Sequence, residues 1–146
     1  MTDELSNSTL DLLRGLLDGI LNDRDAWHDG RVARLLAPGF VRLDRRKVIA
    51  QPPADAAGYI ASIVELEQIT GTFQSYETQE PVGARGERLC ALRLIGRFGA
   101  FEMDMIVVVQ SDVTSERIEQ LILYDPEDID DAVAELDRLY AELGED

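Results

Sequence analysis

From Thr72 to Tyr124 the chain offers four successive stretches of strand character with no helical pattern between them: TFQSYETQ, RLCALRLI, FEMDMIVVVQ and RIEQLILY. Turn residues separate them, near Gly83 to Gly86, near Gly96 to Ala100, and in SDVTSE. Consecutive strands usually pair with their neighbours, so this block specifies a mostly antiparallel sheet.

The flanks are helical. Ser8-Thr9-Leu10-Asp11 reads as a helix start, with Ser8 as N-cap and an acid three residues on. Leu10, Leu13, Leu17, Ile20 and Leu21 continue it as a buried stripe, and the pattern extends to about Trp27. His28-Asp29-Gly30 marks a turn, Arg31 to Leu36 a second, short helix, and Pro38-Gly39 its end. FVRL at 40–43 alternates as a first strand. QPPAD then opens a third helix that carries Tyr59, Ile60, Ile63 and Val64. Helices, then strands, then a last helix give an α+β domain over residues 1–146, N-terminal helices and C-terminal helix alike packed on one face of a curved, mostly antiparallel sheet.

Period-2 alternation separates the two faces of that sheet. If Gly99-Ala100 is a two-residue hairpin turn, Phe98 pairs with Phe101, Leu94 with Met105 and Leu92 with Val107; a four-residue loop from Gly96 to Gly99 shifts the register by two and keeps the faces, and an odd-numbered loop swaps them. One face then carries Cys90, Leu92, Leu94, Phe98, Phe101, Met103, Met105, Val107 and Val109. Carrying the alternation into the last strand adds Ile118, Gln120, Ile122 and Tyr124. The other face carries Arg93, Ile95, Arg97, Glu102, Asp104, Ile106 and Val108. Arg97 there lies across from Glu102 and Arg93 diagonal to Asp104, as cross-strand pairs on an outer, dimer-facing surface.

Composition narrows the function. The 146 residues are 45% hydrophobic, enough to bury a core. A net charge of -15 argues against nucleic acid or anionic membrane as partners, and the cluster Arg42, Arg45, Arg46, Lys47 is interrupted by Asp44. An acidic, polar N-terminus is unlike a secretory signal, and one cysteine, Cys90, fits a reducing cytoplasm. The one histidine, His28, excludes a multi-histidine metal site, so no metal or cofactor is expected. Cys90, in an apolar strand, reads as a buried inert thiol.

The acidic stretch YDPEDIDD has the spacing of a helix start: Asp125 as N-cap, Pro126 at N1, Asp128 two residues beyond. Its carboxylates sit where a helix dipole favours negative charge, and it lacks the central glycine of a calcium loop. Ile129, Val133, Leu136 and Tyr140 follow as the expected buried stripe.

Two segments, AWHDGRVARLLAPGFVRLDRR and RIEQLILYDPEDIDDAVAELDRLY, carry a resemblance to the nuclear transport factor two-like, or SnoaL-like, superfamily of cystatin-like α+β cones. The nearest likeness is to actinobacterial SnoaL-like domains of unknown function. The resemblance implies a cone-shaped pocket between helices and sheet, and a homodimer through the sheet. It does not imply one chemistry. Epoxide-hydrolase-like members use an Arg-x-Asp and a further Asp; the matching positions here are Cys90 and Ile122, which excludes their mechanism. The expected pocket is walled by Cys90, Phe101, Met103, Met105, Gln120 and Tyr124 and closed by Trp27 and Tyr59. The resulting expectation is a non-catalytic domain that binds a small apolar molecule, or an accessory dimer. The alternative is an isomerase, cyclase or hydratase acting on an apolar, polyketide- or steroid-like substrate, with Tyr124, Gln120 or Asp44 moving the proton.

Overall fold

The computed structural model describes residues 7–18, 22–47, 50–72, 74–114 and 116–144. Helix α1 (Ser8–Asp18) is followed by the short α2 (Arg24–His28) and α3 (Arg31–Leu35), strand β1 (Leu36–Asp44) and helix α4 (Ala56–Thr70). Strands β2 (Gln74–Arg85), β3 (Leu89–Phe98), β4 (Phe101–Ser111) and β5 (Ile118–Tyr124) come next, then helix α5 (Ile129–Leu143). The five strands form one sheet in the order β1-β5-β4-β3-β2. β1 runs parallel to β5 and the other pairs are antiparallel.

Local sequence accounts for most of these elements. The Asn7 side chain accepts from the Leu10 N–H at 2.9 Å, so the first cap is Asn7 and not Ser8; the polar run offers either residue, and Asn7 is also held by the Leu89 carbonyl. The single helix expected to reach Trp27 is broken. Asp23 is extended and its carboxylate caps a fresh helix through the Asp25 N–H. Leu10 and Leu13 are buried as the stripe requires, whereas the Leu17 side chain, Ile20 and Leu21 lie outside the described residues. Pro38-Gly39 falls inside β1, which is an edge strand with a register irregularity between Leu36 and Val41, a place that tolerates proline. The β3–β4 hairpin has the expected register, Phe98 opposite Phe101 and Leu92 opposite Val107, with Gly99 at φ 62 in the turn.

Two layers of core lie on opposite sides of the sheet. On the inner face Cys90, Leu92, Leu94, Met105, Val107 and Val109 pack against Leu10 and Leu13 of α1 and Phe40 of β1. Trp27, Val32, Ile63 and Phe98 extend this layer beneath α2, α3 and α4. On the outer face α5 seals Leu89, Ala91, Ile106, Val108, Ile122 and Tyr124 with Ala132, Leu136 and Leu139. The expectation that all helices share one face is therefore corrected. The outer-face residues beneath α5 are too apolar to stay solvated, and an amphipathic helix covers them. Its buried stripe is rotated from the expected one: Ala132, Leu136 and Leu139 point inward, while Ile129 is 43% exposed.

Beyond the reach of α5 the outer face is a ladder of ion pairs. Arg93 forks onto Asp104, and Arg97 reaches Glu77 at 2.7 Å and Glu102 at 3.2 Å. Among the described residues no helix is long and apolar enough to cross a membrane.

Candidate functional site

A cavity of about 110 Å³ lies between the inner sheet face and helices α1, α3 and α4. Its sheet wall is apolar: Leu94, Met103, Met105, Val107, Leu121 and Leu123. Helical side chains Leu13, Val32, Ile63 and Leu66 face it from above. At one end stand the polar groups: Arg42, Arg46, Gln51, Tyr59, Ser62 and Tyr76.

Strand alternation places the arginines. In β1, Phe40 packs into the inner core, so Arg42 and Asp44, two and four residues on, fall on the same side. Arg42 is 4% exposed. Its backbone exchanges both hydrogen bonds with Ala54, at 2.8 and 3.1 Å, which pins the segment leading into α4. Its guanidinium donates from Nη2 to the Pro52 carbonyl at 3.1 Å and lies 5.8 Å from the centre of the Tyr59 ring. Its Nε has no hydrogen-bond partner among the described residues.

Arg46 is placed differently. It forks onto the fully buried Asp44 carboxylate, Nε to Oδ1 at 2.9 Å and Nη2 to Oδ2 at 2.7 Å, and rests its Nη1 3.8 Å from the Met103 sulfur. The Arg46 and Gln51 backbone N–H groups also donate to Asp44. Burial pushes the Asp44 carboxyl upward, but the Arg46 and Gln51 hydrogen bonds and the Arg46 charge outweigh it and hold it below its ordinary value.

Tyr59, on α4, is gripped by aromatic neighbours: Trp27 edge-on at 5.8 Å and Phe40 tilted at 5.6 Å. Its hydroxyl hydrogen-bonds with that of Tyr76 on β2. Gly96, opposite Tyr76 on β3, makes this possible: a Cβ there would lie 3.0 Å from the Tyr76 ring. Burial pushes the Tyr59 hydroxyl up to about 12 and that of Tyr76 well above its ordinary value, so both remain neutral at physiological pH, with Tyr76 donating to Tyr59.

Of the eight residues expected to form the pocket, Tyr59, Met103 and Met105 line the cavity. Trp27 is buried one layer behind, against Tyr59, and Cys90 is buried in the same core without reaching the cavity. Burial pushes the Cys90 thiol up to about 12. Phe101 is 65% exposed at the hairpin end. Gln120 and Tyr124 face the other way. Opposite the β4 step from Ser111 to Gln110, β5 advances from Ile118 to Gln120, a bulge at Glu119 that reverses the alternation. Leu121 and Leu123 therefore point into the cone, Gln120 bonds to Gln110, and the Tyr124 hydroxyl donates to Glu135 of α5 at 2.9 Å. His28 stands at the surface beside Glu67.

Arg42, Arg46, Gln51, Ser62 and Tyr76 escape a reading by composition, because charged residues in a basic cluster look solvated. The alternation Phe40-Arg42-Asp44 was the signal that could have found two members of this corner.

No protein-family model matches the sequence, and no curated protein matches it significantly. Solved structures do. A SnoaL-like family protein from Agrobacterium tumefaciens aligns over 80% of this chain and 96% of its own, at 16% identity and a TM-score of 0.55. A steroid delta-isomerase from Pseudomonas aeruginosa aligns over 93% and 91%, at 21% identity and TM-score 0.51. A nuclear transport factor two-like protein of unknown function from Cytophaga hutchinsonii aligns over 85% and 96%, at 10% identity and TM-score 0.55. The fold is therefore the SnoaL-like, nuclear transport factor two-like α+β cone.

Proposed function

We propose that this chain binds a small, largely apolar molecule in its cone cavity and does not transform it. One observation carries the reading: among the described residues, the cavity is lined by apolar side chains and hydrogen-bond donors, with no carboxylate, histidine or thiol to act as a base. Proton abstraction needs such a group within reach of the ligand. The nearest buried carboxylate, Asp44, accepts from Arg46 and Gln51 with both oxygens and is held ionised, which makes it a poor base.

Size supports the same reading. An apolar cavity of roughly 150 Å³ admits a single benzene ring, so about 110 Å³ suits one ring or a short branched chain. A fused polycyclic substrate, which the isomerase or cyclase alternative requires, exceeds that space. Calorimetry and thermal shift with single-ring probes test the proposal. Saturable binding with the probe recovered unchanged is the expected result; absence of binding by every probe, or turnover of any, overturns it.

The sheet dimer is proposed on the outer face that α5 leaves open, around Arg93, Ile95, Arg97, Glu102 and Asp104.

A further inference from the structure

Two guanidinium groups reach the polar end of the cavity, and one buried carboxylate stands beside them. Arg46 and Asp44 account for each other through two parallel hydrogen bonds, the geometry in which arginine and carboxylate are best matched. Arg42 is left over. It is 4% exposed, forms no ion pair with the described residues, and meets only neutral partners: the Pro52 carbonyl and the Tyr59 ring. Its Nε–H has nothing to donate to among the described residues.

A buried cation without a counter-ion is costly, and proteins rarely hold one unless something supplies the missing charge. Here the placement is not accidental. The Arg42 backbone is fixed by the paired bonds to Ala54, and its guanidinium lies over the ring of a tyrosine that Trp27 and Phe40 hold in place. Tyr59 and Tyr76 line the cavity beside it, and because Tyr76 donates to the Tyr59 oxygen, the Tyr59 O–H is left to donate. The unpaired guanidinium and the one tyrosine O–H left free, at one end of an apolar chamber, define an anion subsite with an apolar extension.

We propose that the ligand of this cavity is a small organic acid, a monocarboxylate with a one-ring or short-chain apolar body, whose carboxylate pairs with Arg42 while its body lies against Leu94, Met105 and Leu121. The proposal rests on the binding function above and adds the ligand's charge. Anion entry is not helped by the molecule as a whole, whose net charge is -15. Recognition is therefore local, made by desolvated contacts that salt screens little.

Matched acids and amides test it: benzoate against benzamide, and phenylacetate against phenylacetamide, titrated calorimetrically into the native chain and into Arg42→Met. A charge-assisted contact at a buried site predicts roughly 10- to 100-fold tighter binding of each acid than of its amide. Arg42→Met is expected to erase that preference, bringing each acid to the affinity of its amide. Equal binding of acid and amide by the native chain overturns the carboxylate proposal and leaves the apolar-binding function standing. Binding of none of the four overturns both. A preference that survives in Arg42→Met shows that Arg42 is not the anchor and overturns the assignment. Should the variant fail to fold, nitrogen-15 NMR of the native chain decides. The Arg42 Nε–H proton is expected to move downfield with benzoate and to stay in place with benzamide, and an unmoved signal with benzoate overturns the proposal.

Discussion

Asp44 holds the polar end of the cavity together through its bonds to Arg46 and the Gln51 N–H. Removing one partner of a buried pair leaves the other charge uncompensated, so Asp44→Asn is expected to destabilise the fold by about 3–5 kcal/mol, measurable by urea denaturation. The pH dependence follows from the direction of its shift. The folded carboxyl titrates below its ordinary value, so its charge-dependent contribution is complete above the ordinary range, near pH ~4, and is lost as pH falls through the depressed value. Across that window the stability gap between native and variant narrows with acid. Cys90 gives a second prediction at this scale. It is wholly buried with its thiol pushed up to about 12, so a thiol reagent at neutral pH reacts with the unfolded and not the native protein.

At the scale of elements, α5 covers the apolar part of the outer sheet face. Leu136, at 0% exposure, anchors it in the outer cluster with Ala91, Ile106 and Val108. Leu136→Ala is expected to cost about 2–5 kcal/mol in chemical denaturation. The start of α5 also shows what YDPEDIDD does. Pro126–Asp128 forms a single 3-10 turn before the α-helix begins at Ile129. Asp125 accepts the Lys47 backbone N–H at 3.0 Å and Asp128 its ammonium at 2.9 Å, so the acidic stretch tethers the segment after β1. A helix start was legible in the residues. The tether was not, because its cation comes from a position 81 residues away in the chain.

For the whole molecule, the uncovered half of the outer face is the surface proposed for association. The ion-pair ladder leaves Ile95 partly buried on the uncovered half of the outer face. Sedimentation equilibrium is expected to give a mass twice 16.3 kDa for the native chain and a single-chain mass for Ile95→Asp. A native mass of one chain removes the sheet dimer.

The sequence by itself determined what depends on near neighbours: the succession of helical and strand segments along the chain and, given a two-residue turn at Gly99-Ala100, the register and the two faces of β3 and β4. Turn chemistry and alternation act within a few residues, so they are readable there. Tertiary structure alone decided the face of β5, because one bulged residue at Glu119 reverses every side chain after it. It also decided the chemistry of the cavity. β1 pairs with β5, far along the chain, and only that pairing with α4 above it turns Arg42 and Arg46 from surface charges into buried donors. Burial is a property of the assembled layers, and a guanidinium looks the same in a sequence whether or not water reaches it.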